Sequence, residues 1–399
     1  MKAGAVAFLV LPFLLTSLLD AQRSLALRVG RAWLGPDQKL ERPVFLIDGG
    51  KIVDVAQRGK DGSSSPFASQ AERVLDFGEA VATAGFLDLQ NLTAPPGELH
   101  ERVESLTPRL RAEDAYDPFL PSWKELWRRG VTSICLSPDD QNLAGGLAAF
   151  LKPGPTEWKA REEAFLKMSL TRSMLNRERR PTSLLGAVDY LREVFEGIGR
   201  TEPPAWDPLQ RAMAPCLEGG RTVGIAASTR AEIRAALNLV KEFRLRAFLI
   251  GVEEGADEME ALRAAGIPVV LRAFAPSAPK RALELPARLA KAGIPVAFCG
   301  ESTDRYGLSR LRTSMYFAIR NGLPPSKALA AVTSVPAEIL KLKDRVGGLF
   351  KGRDADVCIW SRAPWDPRAR LLAVLRDGTL LWKAPGKDAT KVSTRTGAR

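Results

Sequence analysis

Residues able to do acid–base or metal chemistry are scarce in this chain, which has one histidine, His100, among 399 residues. Histidine is the commonest metal ligand and the commonest general base near neutral pH. A histidine-rich metal centre therefore cannot be built here. His100 lies within a proline-rich polar segment, residues 93–121, which we expect to form a long loop with a solvated histidine. Neither a nucleophile elbow, G-x-S-x-G, nor a phosphate-binding glycine loop is present.

Four cysteines are the other candidate nucleophiles or ligands: Cys135, Cys216, Cys299 and Cys358. None forms a C-x-x-C pair, and three lie in apolar runs typical of strands, so we predict buried thiols that act as small hydrophobes. A disulfide stays open, because spacing alone cannot assign one. Cys299 has no neighbouring histidine to lower its thiol pKa, which argues against a nucleophile.

The composition is that of a globular protein, with 45% hydrophobic and 26% charged residues, and the formal net charge is +12. Such a charge favours acidic partners such as nucleic acid, anionic lipid or cell-wall polymer, or else reflects an unspecific cationic surface. No nucleic-acid-binding motif accompanies it.

Hydrophobic patterning predicts the elements that must position any site. Residues 24–82 read as short strands, with a hairpin turn at Asp48-Gly49-Gly50. Residues 156–200 read as mainly helical. From Thr222 onwards, short apolar strands alternate with helices, which favours parallel strands and a β/α barrel. Residues 384–399 are polar and basic, and we predict a disordered tail.

The N-terminus, residues 1–21, is typical of a secretory signal peptide: a lysine, a long uncharged run and a small residue at Ala21. Cleavage would give a periplasmic or secreted protein without a transmembrane segment. An uncleaved membrane anchor is the alternative.

The stretch T-A-G-F-L-D-L-Q-N-L, residues 83–92, resembles the first barrel strand of the amidohydrolase superfamily, P-G-F-I-D-x-H-x-H. The closing stretches G-G-L-F-K-G-R-D-A-D-V-C-I-W and V-L-R-D-G resemble that family's last motifs. The resemblance implies an α/β fold: a (β/α)8 TIM-like barrel over residues 83–344. A small β-sandwich domain would be formed by the N- and C-terminal segments, residues 24–82 and 345–383.

The resemblance also implies where a zinc or other divalent metal would be bound. Residues that cannot replace histidine stand at the ligand positions: Gln90, Leu92, Ala226, Ser228 and Gly251. Glu301 stands for the strand-8 catalytic acid, with Asp304 as a slipped alternative. Lys152 and Lys167 are candidates for the lysine that some branches carboxylate to bridge two metals.

By family the protein would be a hydrolase of non-peptide C–N bonds, but we predict that metal-dependent hydrolysis is lost and that no cofactor is bound. One alternative is an active hydrolase with an unorthodox site built from Glu301, Asp304, Glu253 and Glu254. A cationic binder of anionic polymers is another. We expect an unidentified small-molecule partner, and a homodimer or pairing with an active paralogue.

Overall fold

The computed structural model describes most of the chain. It describes residues 24–59, 67, 70–95, 97–155, 162–200, 203–217, 219–275, 277–300, 310–385 and 391–394. The predicted signal peptide, residues 1–21, lies outside the described residues, as do Glu301 and Asp304.

Two sheets formed by both ends of the chain pack face to face as a β-sandwich. The N-terminal strands are β1 Leu25–Arg28, β2 Arg31–Gly35, β3 Gln38–Glu41, β4 Pro43–Asp48, β5 Lys51–Gln57, β6 Arg73–Asp76 and β7 Val81–Ala84. The C-terminal strands are β16 Val357–Trp360, β17 Leu371–Arg376, β18 Thr379–Lys383 and β19 Lys391–Thr394. One sheet has the order β19-β6-β1-β4-β5, and the other has the order β18-β17-β16-β7-β2-β3. Apolar side chains from both ends, including Phe45 and Val357, share one core.

The predicted hairpin at Asp48-Gly49-Gly50 joins β4 and β5, which pair antiparallel. Gly49 and Gly50 have φ of +53° and +79°, so both occupy the left-handed region that glycine adopts without a Cβ clash.

Between the two ends, eight strands form the wall of a TIM-like barrel, as predicted. They are β8 Phe86–Asn91, β9 Val131–Leu136, β10 Ala144–Leu151, β11 Glu162–Ser169, β12 Val223–Ala227, β13 Ala247–Gly251, β14 Val269–Arg272 and β15 Val296–Cys299, in that order around the sheet. The amides of Leu87 and Phe298 donate to the carbonyls of Val332 and Ala331, so this segment spans the gap between β8 and β15.

Side chains alternate along the barrel strands, as a period of two requires. Inward residues such as Leu89, Phe150 and Phe248 fill the barrel. Outward residues such as Ile225 and Leu249 pack on the helices. The α-helices of the described residues are α1 Ser122–Trp127, α2 Leu184–Arg200, α3 Pro208–Leu217, α4 Arg230–Glu242, α5 Met259–Ala265, α6 Lys280–Lys291, α7 Arg310–Arg320, α8 Pro325–Ala330 and α9 Ser334–Ile339.

Two features of the barrel differ from the sequence prediction. β10 pairs antiparallel with both β9 and β11, so one strand of the barrel runs against the other seven. β11 lies in a region that we expected to be mainly helical. Its sequence, E-E-A-F-L-K-M-S, is rich in residues of high helix propensity. Pairing on both edges, with β10 and β12, overrides that local preference.

Two smaller expectations also need correcting. Residues 384–399 are not a wholly disordered tail, because β19 pairs antiparallel with β6. Residues 93–121 are not simply a loop over the barrel opening: Leu106 and Arg111 form bridges with Ala144 and Leu147 of β10.

The four cysteines are buried free thiols, as predicted. None of the helices in the described part of the chain combines the length and apolar character needed to cross a bilayer.

Candidate functional site at the barrel mouth

The candidate site lies where the seven parallel strands of the barrel end, here called the mouth. Lys167 lies two residues before the end of β11 and points inward, and β14 ends with Arg272. The loop from β9 to β10, residues 137–143, brings Asp140 to the same place. The carboxyl ends of barrel strands are where enzymes of this architecture place their chemistry.

Two cations share one carboxylate at the centre of the mouth. Lys167 Nζ and an Arg272 nitrogen both donate to the carboxylate of Asp140, one to each oxygen. Lys167 Nζ also donates to the carbonyls of Asp139 at 3.4 Å and Met168 at 3.3 Å. Three acceptors match the three protons of an ammonium group, so these contacts suit Lys167 as a cation.

The carboxyl of Asp140 is ionised in this setting. Burial by itself would raise the pKa of Asp140, but the nearby charges of Lys167 and Arg272 outweigh it and hold that pKa below its ordinary value. A carboxylate already held by two cations is a poor general base.

Arg272 occupies space that a side chain at position 251 would need. A Cβ on Gly251 would lie 2.3 Å from Nη1 of Arg272 and 3.0 Å from Oγ of Ser228. The same Nη1 donates to Ser228 Oγ at 3.1 Å. The guanidinium of Arg272 therefore lies next to positions 228 and 251, both of which the family resemblance assigned to histidine.

The remaining predicted ligand positions are equally unsuited to a metal. Ala226 is fully buried inside the barrel and has no donor atom. Leu92 lies just beyond the end of β8 and is half-buried. Gln90 is fully buried; its amide interacts with Asp140 and helps to lower the pKa of that carboxyl, while its Oε1 has no hydrogen-bond partner among the described residues.

Asp88 is the carboxylate that matches the first-strand motif, and its hydrogen bonds connect two strand ends. Its Oδ1 accepts from the Gly300 amide at 2.7 Å, and its Oδ2 accepts from Asn91 Nδ2 at 2.9 Å. It thus links the ends of β8 and β15, the two strands that close the barrel.

The loop that carries Asp140 is anchored by two side chains. His100 Nδ1 lies 3.0 Å from Asp139 Oδ2, so the histidine expected to be solvated is instead half-buried and paired. Arg179 donates to the carbonyl of Gln141 at 2.9 Å and to Asn142 Oδ1 at 2.7 Å. These contacts hold Asp140 between its two cations.

Lys152 is not at the mouth and is excluded as the carboxylated lysine. Because β10 runs in reverse, Lys152 follows its end at the opposite side of the barrel. Its Nζ contacts three carboxylates of the C-terminal segment: Asp354, Asp356 and Asp377. Burial acts to lower the pKa of Lys152, but these carboxylates outweigh it and raise that pKa above its ordinary value.

The acidic alternative is not assembled in the described part of the chain. Glu253 and Glu254 are exposed on the turn after β13, and Glu254 accepts from the Arg230 amide at 2.7 Å. The residues with described positions contain no group of three or more acids, cysteines or histidines that could hold a metal ion. Glu301 and Asp304 lie outside that part, so their roles stay predictions.

The thiols offer no activated nucleophile. Cys299 is fully buried at the end of β15. Burial, followed by the charge of Asp88, raises the pKa of Cys135 well above its ordinary value. Burial likewise raises the pKa of Cys358, with a further contribution from Asp356. Neither thiol can supply thiolate near neutral pH.

Tested against a divalent transition metal, this donor set does not fit. The positions that should supply imidazoles supply an amide, a hydroxyl and apolar or absent side chains, whereas zinc requires nitrogen, sulfur or carboxylate donors. Two cationic side chains at the same place add electrostatic repulsion against a third cation.

The comparisons with known proteins agree with the architecture. Residues 228–381 match the model of the amidohydrolase family. The chain is 24% identical over 365 residues to the amidohydrolase tasK of Hapsidospora irregularis, covering 76% of this chain and 36% of that protein. It therefore spans well under half the length of that relative.

Solved structures show the same fold. The amidohydrolase from Thermotoga maritima MSB8 superimposes with a TM-score of 0.79 at 20% identity, covering 90% of this chain and 100% of that one. An adenosine deaminase from Xanthomonas campestris with bound zinc superimposes with a TM-score of 0.52 at 14% identity, covering 89% of this chain and 92% of that one. Residues 228–381 thus resemble the amidohydrolase family in sequence, and the chain shares its fold with a solved amidohydrolase, in agreement with the strand-1 and closing motifs.

Sequence reasoning missed two residues at the centre of the site, Asp140 and Arg272. Arg272 directly follows the apolar run V-V-L, so its place at a strand end was readable from the sequence. Asp140 lies in a loop between two strands, and nothing in its local sequence distinguishes it from the neighbouring Asp139.

Proposed function

We propose that this protein is an amidohydrolase-superfamily member that binds a small polar ligand at its barrel mouth and does not catalyse metal-dependent hydrolysis. The observation that carries the proposal is the Arg272 guanidinium in the space beside Gly251, joined to Lys167 through Asp140. These side chains supply positive charge where the family resemblance would place a metal ion.

Three properties of the mouth support binding. Arg272 keeps 22% of its side-chain surface exposed, so a ligand can reach the guanidinium. The Gln90 Oε1 is a buried acceptor without a hydrogen-bond partner among the described residues. Ser228 adds a hydroxyl beside Arg272. A buried acceptor without a partner costs free energy that a ligand able to donate a hydrogen bond to it would recover.

The experiment is metal analysis of the protein purified without added metal and again after incubation with zinc. We expect far less than one metal ion per chain in both samples and no rise in melting temperature with zinc, because a ligand stabilises only a protein that binds it. The zinc-containing adenosine deaminase from Xanthomonas campestris is the positive control for the metal measurement.

One result would overturn this proposal: stoichiometric bound metal together with amide hydrolysis that a chelator abolishes and zinc restores. That result would favour the alternative of an active hydrolase, whose acid would be Glu301 or Asp304. Alanine variants at these two positions would then lose metal, whereas Glu253→Ala, at an exposed turn, would retain it.

Export is a separate part of the proposal and rests on the sequence of residues 1–21. N-terminal sequencing of the protein recovered from a secretion-competent host tests it. A mature N-terminus near residue 22 supports cleavage, and an intact Met1 in the membrane fraction would support an uncleaved anchor instead.

A further inference from the structure

A cavity of about 550 Å³ lies outside the barrel beside the loop that carries Asp140. It is open to solvent on one side and is lined by Arg179 and Arg180, by Tyr190 of α2, by the start of α3, and by Val103, Glu104, Ser105, Leu106, Pro108 and Arg109. The proposed function uses none of these residues except Arg179, which anchors the mouth loop.

Arginines dominate the polar lining of this cavity. Arg109 is exposed and has no ion pair or hydrogen bond within the described residues. The Arg180 guanidinium lies 4.1 Å above the centre of the Tyr190 ring, and its ion pair with Glu193 at 3.2 Å is exposed. Arg179 has a buried Nε without a hydrogen-bond partner.

The acidic residues in the lining do not neutralise these arginines. Asp207 accepts a hydrogen bond from the Gln210 amide at 2.7 Å, which caps the first turn of α3. Glu104 is exposed, and its carbonyl rather than its carboxylate accepts from Arg179. The apolar part of the lining includes Leu106, Pro108 and Leu209.

We propose that this cavity binds a small organic anion that has a compact head group and an apolar body, as a phosphate monoester does. Arg109 and Arg180 would hold the head group, since guanidinium groups match phosphate oxygens in bidentate geometry. The apolar body would lie against Leu106 and Leu209. This inference does not depend on the proposed function of the mouth.

Arg179 connects the cavity to the mouth. On one side it donates to the carbonyls of Glu101 at 3.3 Å and Glu104 at 2.5 Å. On the other side it binds Gln141 and Asn142, which follow Asp140 in the mouth loop. An occupant of the cavity that orders Arg179 would therefore also order residues 137–143.

The test is calorimetric titration of the full chain with phenyl phosphate at low ionic strength. We expect saturable binding at one molecule per chain, weaker binding of inorganic phosphate, and none of phenol. Arg109→Glu and Arg180→Ala should each weaken binding about tenfold or more, because each removes a charge-assisted contact. The matched control, Arg263→Glu on α5, should bind as the unaltered protein does.

Hydrogen exchange gives a second measurement. Phenyl phosphate should slow amide exchange in residues 137–143, and this effect should disappear in Arg109→Glu. The proposal is overturned if phenyl phosphate does not bind saturably, if Arg109→Glu binds it with unchanged affinity, or if inorganic phosphate binds as tightly. Arg109 is exposed, so its replacement leaves the fold intact, which thermal unfolding verifies.

Discussion

Gly251 is the residue on which the arrangement of the mouth depends most directly. Its φ of +96° lies in a region that side chains rarely adopt, and Arg272 lies where a Cβ would project. The absence of a side chain at this position is therefore what gives the guanidinium its place. Ser228 and Asp140 then fix the orientation of that guanidinium.

Gly251→Ala should destabilise the protein by about 2–4 kcal/mol, because it combines backbone strain with a close contact to Arg272. Urea unfolding measures the change. Gly199→Ala, in the exposed last turn of α2 with open space around it, is the control and should stabilise by about 0.5–1 kcal/mol. Equal effects of the two substitutions would contradict the account of Gly251.

Asp140→Asn should destabilise by about 2–4 kcal/mol, since it leaves Lys167 and Arg272 without their shared carboxylate. The lowered pKa of Asp140 means that its contribution is present above the unfolded-chain value of about 3.9 and is lost as the pH falls through the folded-state pKa.

Unfolding measured from neutral to acidic pH tests this expectation: the difference between Asp140→Asn and the unaltered protein should shrink below pH of about 4. Asp257→Asn removes an exposed ion pair with Arg230 and should change stability little. A difference that stays constant with pH would show that Asp140 acts through packing rather than charge.

At the scale of elements, the reversed strand β10 separates the two candidate lysines. The side chain of Lys167 lies at the mouth, whereas that of Lys152 contacts the C-terminal segment that follows the barrel. Around Lys152, Lys51 and Arg345 also pair with Asp354, each at 2.9 Å. This cluster, Lys51, Lys152, Arg345, Asp354, Asp356 and Asp377, joins the barrel to the β-sandwich.

Lys152→Met should destabilise by about 3–5 kcal/mol, because it leaves buried carboxylates without their central cation. Chemical denaturation measures the loss, and Lys152→Met combined with Asp356→Asn should recover part of it. Lys280→Met, at an exposed pair with Glu284, should cost less than about 0.5 kcal/mol. If Lys152→Met is as mild as that control, the cluster does not stabilise the junction.

The sequence predicts some of these elements much better than others. The strands from β12 to β15 have strong periodicity and helices between them, so local pattern and tertiary structure agree. β11 has a composition that favours helix, and only pairing with both neighbours makes it a strand. The reversal of β10 depends on pairing between distant segments, which composition does not encode.

The site likewise has a part that local sequence predicts and a part that depends on contacts between distant segments. The absence of histidine at positions 90, 92, 226, 228 and 251 is readable from the sequence. The contact of Lys167 and Arg272 with Asp140 is not, because these residues come from three separate elements and meet only in the folded barrel.

For the whole molecule, the two chain ends share a single domain. β6 lies between β1 and β19, so a strand from the last residues of the chain covers one from the first hundred. Removing residues 386–399 should expose one edge of β6.

Amide exchange in Arg73–Asp76 should then accelerate, whereas exchange in β1, which keeps its pairing with β4 and β6, should stay slow. Hydrogen exchange followed by mass spectrometry separates these two strands. Unchanged exchange in β6 would show that β19 does not protect it in solution.

The positive charge at the barrel mouth has a consequence for how the protein acquires the proposed ability to bind a polar ligand. Lys167 and Arg272 are part of the translated chain, so their charge is present from synthesis, and folding alone brings it to the mouth. It needs no maturation step, does not depend on zinc supply, and cannot be stripped by a competing chelator. The fraction of molecules with a charged mouth is therefore the folded fraction itself.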